Sequence, residues 1–277
     1  MGKYAKALQK HLVDYKARRL GVREAGIFKH KGRDVSCAHI LPLDLKWLNI
    51  LEPFRSEIHA YLKTRPEVKL HKYFHHLNSS QAFALNLFYP FLEGEPAQAS
   101  ALLRALGVKG EIESWSAECV PHLEEGTNVD IAWKDCQGAW TYCEVKLSEQ
   151  EFGQAKADTR HREKLTTIYD PVLRCSCPET LLEPLEFFDN YQIMRNIWLA
   201  ARDPTASVTF LLPRANRGPW IPLQKVIGSL ALPLRKRVRV AAIEDVLSCL
   251  VNGTDVSPRL AWYTEMLIEK YVLPKST

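Results

Sequence analysis

The sequence has no apolar run of roughly 18 residues, the length a spanning helix needs, so no membrane-crossing segment is expected. Its N-terminus is charged and helical in pattern instead of an apolar leader, and Lys6 stands where a myristoylation site needs a hydroxyl residue. A disulfide framework is missing too. The seven cysteines are odd in number and scattered, which suits reduced thiols and makes the cytoplasm the expected location. There is no heavy charge of one sign: a net +5 is compatible with a polyanionic partner but far from a nucleic-acid coat protein. Internal repeats and low-complexity linkers are also absent. What remains, 277 residues with 46% apolar and 25% charged side chains, is ordinary for a globular chain of one large domain or two small ones.

Periodicity divides the chain. Tyr4, Ala7, Leu8, His11, Leu12 and Tyr15 recur at helical spacing, so residues 3–20 read as an amphipathic helix whose lysines and arginines form a basic outer face. Gly21, Gly26 and Gly32 interrupt it, residues 37–51 are irregular and apolar, and residues 55–62 read as another helix. Ser79 or Ser80 can cap a helix over 81–91, and 97–106 forms the next before Gly107. From Glu111 the period shifts to strands at 111–120, 129–133 and 140–147. A helical stretch through Ile168, a loop at Cys175–Cys177, one helix over 184–201, a buried strand at 208–212, a last strand at 237–243 and helices at 244–251 and 258–271 complete the pattern. The expected fold class is α/β, a central mixed sheet flanked by helices, with a mainly helical N-terminal extension over 1–69 and the principal domain over 70–277.

Chemistry concentrates in the strand meander. Val129 and Ile131 flank Asp130 as strand alternation requires, a turn follows at 134–138, and Glu144 and Lys146 then share one side of the next strand. If the strands pair, two carboxylates and an ammonium converge. Carboxylates about 4 Å apart repel by roughly 4 kcal/mol at an effective dielectric near 20, so they call for compensation. Lys146 and a divalent cation supply it, and magnesium's taste for carboxylate, water and phosphate oxygens points to a phosphodiester substrate. Spacing alone equally admits a satisfied polar cluster on an exposed sheet face.

Asp130, the hairpin and Glu144-Val145-Lys146 together resemble the signature of the PD-(D/E)XK nuclease superfamily, whose core is restriction-endonuclease-like. The run from Glu144 to Gly153, the upstream Ser79-Ser80-Gln81 with Asn86 and Pro90, and the downstream Tyr191-Gln192-Ile193-Met194-Arg195 resemble a little-characterised bacterial branch of it, over roughly residues 70–215. The proline that gives the superfamily its name is absent; Val129 stands there. The resemblance implies Mg²⁺, with Mn²⁺ able to substitute, held by Asp130, Glu144 and the Val145 carbonyl, and a Lys146 that orients or deprotonates the attacking water. A lysine lends itself to that because burial shifts its pKa readily. Glu118, preferred to Glu113, would add a third carboxylate or simply face solvent. Gln192 would contact the lysine or a phosphate, or serve as a helix-surface amide.

Other features weigh less. Gln81 and Asn86 are explained by packing or capping as well as by function, and Glu149 and Glu151 by a helix start. Cys175 with Cys177, and His71 with His75 and His76, lack the second ordered pair of a structural zinc site. The 235–239 basic cluster reads equally as a DNA contact or a solvated strand edge. The expected function is metal-dependent hydrolysis of phosphodiester bonds in nucleic acid, DNA ahead of RNA, with a homodimer as the arrangement that brings two sites to two strands. The alternatives are a catalytically inactive nucleic-acid-binding domain of the same fold and an aromatic-rich interaction scaffold, although buried core accounts for most tryptophans.

Overall fold

The computed structural model of the chain describes residues 2–274. It opens with helix α1 (Lys3–Arg19), which buries Leu8, Leu12 and Tyr15. Not all of its basic residues face outward. Lys16 is 1% exposed, and its Nζ donates to the carbonyls of Glu24 (2.6 Å) and Ile40 (2.9 Å).

The glycine-punctuated stretch that follows is a hairpin, β1 (Gly26–His30) with β2 (Arg33–Cys37), and the irregular, apolar stretch after it carries a 3-10 helix over Leu43–Asn49. Lys31 (φ 48°) and Gly32 (φ 77°) make its two-residue turn. Two successive positive φ values match the right-handed twist of a hairpin, and glycine supplies one without strain. Helices α2 (Glu52–Lys63), α3 (Ser80–Leu92) and α4 (Pro96–Ala105) follow. Ser79 is the α3 cap, its side chain accepting from the Ala82 amide.

Five strands form the main sheet in the order β3 (Ile112–Cys119), β4 (Val129–Asp135), β5 (Trp140–Val145), β6 (Ser207–Leu212) and β7 (Val238–Ala242). The first three make an antiparallel meander, and β6 and β7 add in parallel. Between β5 and β6 lie α5 (Thr159–Lys164), a π-turn over Leu165–Tyr169, α6 (Asp170–Leu173), α7 (Pro184–Asp189) and α8 (Tyr191–Arg202). The helix expected over 184–201 is thus two helices broken at Asn190. The break frees the first-turn amide of Gln192 to donate to the Gly153 carbonyl at 3.0 Å, which ties α8 to the loop leaving β5. Helix α9 (Arg217–Ser229), masked in the sequence by Pro219 and Pro222, and short α10 (Leu232–Arg235) precede β7. Helices α11 (Ile243–Asn252) and α12 (Pro258–Tyr271) close the chain.

One apolar core joins α1–α4, α11 and α12 to one sheet face through Ile131, Cys143, Val145 and Leu211. A second, on the opposite face, gathers Phe210, Val208 and Tyr142 against α8 and α9. The sheet is therefore a mixed layer between helical layers, as the restriction-endonuclease-like architecture requires. Of the seven tryptophans, only Trp133 and Trp198 are fully buried, so the core does not account for most of them.

Candidate active site

Pairing register puts three acids in one row. Ile131 faces Cys143 across β4 and β5, so the next step outward sets Asp130 opposite Glu144. On the other side, Ala117 pairs with Ile131 and Cys119 with Val129, which leaves Glu118 opposite Asp130. Like charges facing each other across strands destabilise a sheet, so the row has to be held together by other groups. Glu118 also carries a φ of 51°, a left-handed conformation that costs a non-glycine residue ~1–3 kcal/mol.

Asp130 is tied to the next strand through its side chain. Its Oδ2 accepts from the Val145 amide at 2.7 Å, so its carboxylate is fixed to the backbone between Glu144 and Lys146. Burial, then the charge of Glu144, pushes its pKa well above the ordinary carboxylate range. Burial also raises Glu118, against the pull of the Gln81 and Asn128 amides, and Asn128 Nδ2 lies 3.3 Å from Glu118 Oε2.

Glu144, 3% exposed, is the hub. Its Oε1 accepts from Lys146 Nζ at 2.7 Å and Gln192 Nε2 at 2.6 Å. Its Oε2 accepts from Asn196 Nδ2 at 3.1 Å, with Arg195 Nη2 at 3.8 Å. Gln192, Arg195 and Asn196 stand at i, i+3 and i+4, so α8 turns one polar stripe onto a single carboxylate. Gln192 therefore contacts the acid and not the lysine. Asn196 is a buried contributor that the sequence reading did not name, and Arg195 entered it only as the last residue of the run from Tyr191; a polar stripe at that spacing was the available signal.

Lys146 lies just past the end of β5, yet its amide donates to the Leu211 carbonyl at 2.9 Å, so it keeps the sheet's alternation and shares the Glu144 side. Burial pulls its pKa down, but Glu144, Glu149 and Asp130 outweigh that, and the net shift is upward. Three carboxylates thus oppose the desolvation that the sequence reading expected to shift this lysine. Its Nζ also lies 5.5 Å over the Phe152 ring.

The loop beyond contains no helix start. Glu149 folds back to accept from the amides of Leu147 (2.7 Å) and Ser148 (2.8 Å), and Glu151 is exposed. Glu113 pairs with Lys134 at 2.9 Å. Asn86 is a core residue: it bridges the Asn49 carbonyl, the Leu51 amide and the Tyr271 hydroxyl. Of the 235–239 cluster, Arg237 is engaged in structure, its Nη1 donating to the carbonyls of Ala200, Asp203 and Ala206. Cys177 donates to the Leu173 carbonyl while Cys175 is exposed.

Asp130, Glu144, Lys146, Glu118 and Gln192 line a cleft of about 740 Å³, whose opposite wall is the segment 69–81. A second recess, about 520 Å³ between α1, α2 and α12, is remote from these acids. For a divalent cation the donor set fits: all the candidate side-chain ligands are oxygens, desolvated and mutually repelling, and the second oxygen of Asp130 has no hydrogen bond among the described residues. Among the described residues no three His, Cys, Asp or Glu side chains form a ready-made cage. Such a cation would need water or phosphate oxygens to complete its shell, as Mg²⁺ ordinarily does.

No curated protein and no solved structure matches the chain. A family model does, that of a restriction endonuclease associating with ARP, over residues 9–272. With the mixed sheet, the acid row and Lys146 in place, that match over nearly the whole length means that the chain belongs to this restriction-endonuclease family.

Proposed function

We propose that the chain is a metal-dependent nuclease hydrolysing phosphodiester bonds in DNA. The observation that carries the reading is the row Glu118, Asp130 and Glu144 on three adjacent strands, with Lys146 bonded to Glu144 at 2.7 Å in the same cleft. Asp130, Glu144, the Val145 carbonyl and Glu118 are the ligands proposed for Mg²⁺ or Mn²⁺. A cation bound there polarises the phosphoryl group and lowers the pKa of its water. Lys146, held as an ammonium, donates to a phosphate oxygen and orients the nucleophile. Gln192, with Asn196 and Arg195, fixes the Glu144 carboxylate so that its oxygens stay in place as charge shifts.

One feature favours a second reading, a catalytically inactive nucleic-acid-binding domain. Both oxygens of Glu144 already receive donors, so metal binding must displace or share at least one of them. Incubation of purified protein with plasmid and oligonucleotides, with and without Mg²⁺ or Mn²⁺, decides between the two. Cleavage lost in Lys146→Ala supports the nuclease; salt-sensitive binding with no cleavage in either metal rejects it.

The proposal extends to the surroundings. Free thiols throughout the described residues support a reducing compartment, the cytoplasm. A homodimer would carry two clefts to two strands, which mass measurement in solution tests. The family description also names association with ARP, so a partner of that description is proposed for this chain.

A further inference from the structure

We propose that the segment Lys69–Tyr73 is a strand grip that selects unpaired nucleotides, so that the cleft takes single-stranded DNA or duplex opened at the cut. The inference rests on the reading that the phosphodiester lies at Asp130 and Glu144.

Gln81 builds the grip. This residue is 7% exposed, yet its Oε1 accepts from the His71 amide at 2.8 Å and its Nε2 donates to the Lys69 carbonyl at 3.0 Å. Both ends of a buried amide are thus spent on holding two backbone groups of one surface segment, while the same side chain sits beside Glu118. The segment is fixed relative to the acid row by a side chain at the start of α3.

That segment brings cations and rings to the cleft wall. Lys69, His71 and Lys72 are exposed, and all three line the cleft with Tyr73. Lys72 Nζ lies 4.6 Å over the Tyr73 ring, and the ring packs against His76 at 4.9 Å, His71 at 5.1 Å and Phe28 at 6.0 Å. An incoming phosphate draws the Lys72 ammonium off the ring and frees an aromatic surface already held by its ring neighbours. Phosphate contacts alone need only the lysines. A braced ring beside them serves a base that is not already stacked and paired, the combination by which single strands are bound. The floor argues the same way: Glu144 and Lys146 are 3% and 8% exposed, so the strand must enter between the walls and not lie across them.

The test is fluorescence anisotropy with one labelled DNA sequence as single strand, full duplex and duplex with a central bubble, in Ca²⁺ in place of Mg²⁺, with a single-stranded RNA arm. The parent should bind single strand and bubble at least about tenfold tighter than duplex. Tyr73→Ala should weaken single-strand binding by about tenfold and erase the preference, and Lys69→Ala with Lys72→Ala should weaken every ligand and flatten the salt dependence. Tyr73→Leu, which keeps packing against Phe28, serves if the alanine variant does not fold. A parent that prefers duplex, or a Tyr73 variant that binds single strand within about twofold of the parent, overturns the grip; tighter binding of RNA than DNA overturns the DNA assignment. A parent that cuts nothing in Mg²⁺ yet shows the strand preference sinks the nuclease reading and leaves the grip standing. Cleavage that depends on Lys146 but ignores Tyr73 does the reverse.

Discussion

Gln192 stands between Glu144 and Gly153, donating from Nε2 to the acid at 2.6 Å and accepting the glycine amide on Oε1 at 2.9 Å. One side chain couples the central carboxylate to the loop that leaves β5. Gln192→Leu keeps the volume and removes both bonds, each worth about 1 kcal/mol and more where an acceptor is charged. We expect kcat/KM to fall roughly tenfold or more, mainly in kcat. Unchanged kinetics would demote Gln192 to a surface amide.

Asp130→Asn should separate function from stability. Because burial and Glu144 raise the folded-state pKa of this acid, the folded protein holds its proton more tightly than the unfolded chain. Stability therefore falls as pH rises from the ordinary carboxylate value through the raised one, so ionising this acid burdens the fold. The asparagine variant should melt higher than the parent in EDTA and gain nothing from Mg²⁺, while cleavage drops by a factor of about a thousand or more. A variant that melts lower without metal contradicts the proposed electrostatic burden.

Acid should loosen the hairpin side of the cleft. Burial lowers His76 to about 3 and His39 to about 4 from an ordinary 6.5. A depressed folded pKa makes the unfolded chain bind more protons in that window, so stability is full above about pH 6.5 and declines as pH falls towards the folded values. Denaturant midpoints at pH 7 and pH 5 should show the loss, and His76→Gln should reduce it.

Gly218 allows a close approach. A Cβ there would lie 2.3 Å from the Gln150 carbonyl oxygen, so Gly218→Ala must push back the loop that follows Lys146. Overpacking of this kind costs about 1–3 kcal/mol. Activity should fall although no polar group is changed; a variant with parental melting and parental kcat would show the contact to be slack.

Arg237→Ala tests the meaning of the second basic cluster. Its Nη1 caps carbonyls at the end of α8 and in the turn before β6, so the variant should lose about 2–3 kcal/mol of stability. DNA affinity at matched folded fraction should stay within about twofold, whereas a phosphate contact would weaken binding and reduce the salt slope.

Much was legible in the residues themselves. Alternation around Asp130 and Glu144 marked the paired strands, Ser79 marked a helix start, and Asp130, Glu144 and Lys146 were singled out as residues that the fold then brings to one cleft, because those signals act over a few neighbouring residues. The hairpin after α1 and helix α9 were hidden, since glycine and proline report local freedom and not the contacts that decide how it is used. Lys16 looked like part of a basic surface and is a buried donor to two carbonyls, a fate set by residues distant in the chain.

The sequence by itself determined that Asp130 sits on one strand and that Glu144 and Lys146 share one side of the next, because side-chain alternation is a property of the strand alone. Only the tertiary structure decided that Glu118 joins the row through a left-handed backbone, that α8 restarts at Tyr191 to aim three polar groups at Glu144, and that the neighbouring acids push the Lys146 pKa up against its burial. Those outcomes depend on register between strands, on where a helix breaks and on the field of acids brought together by folding, and no local pattern encodes distances across a sheet.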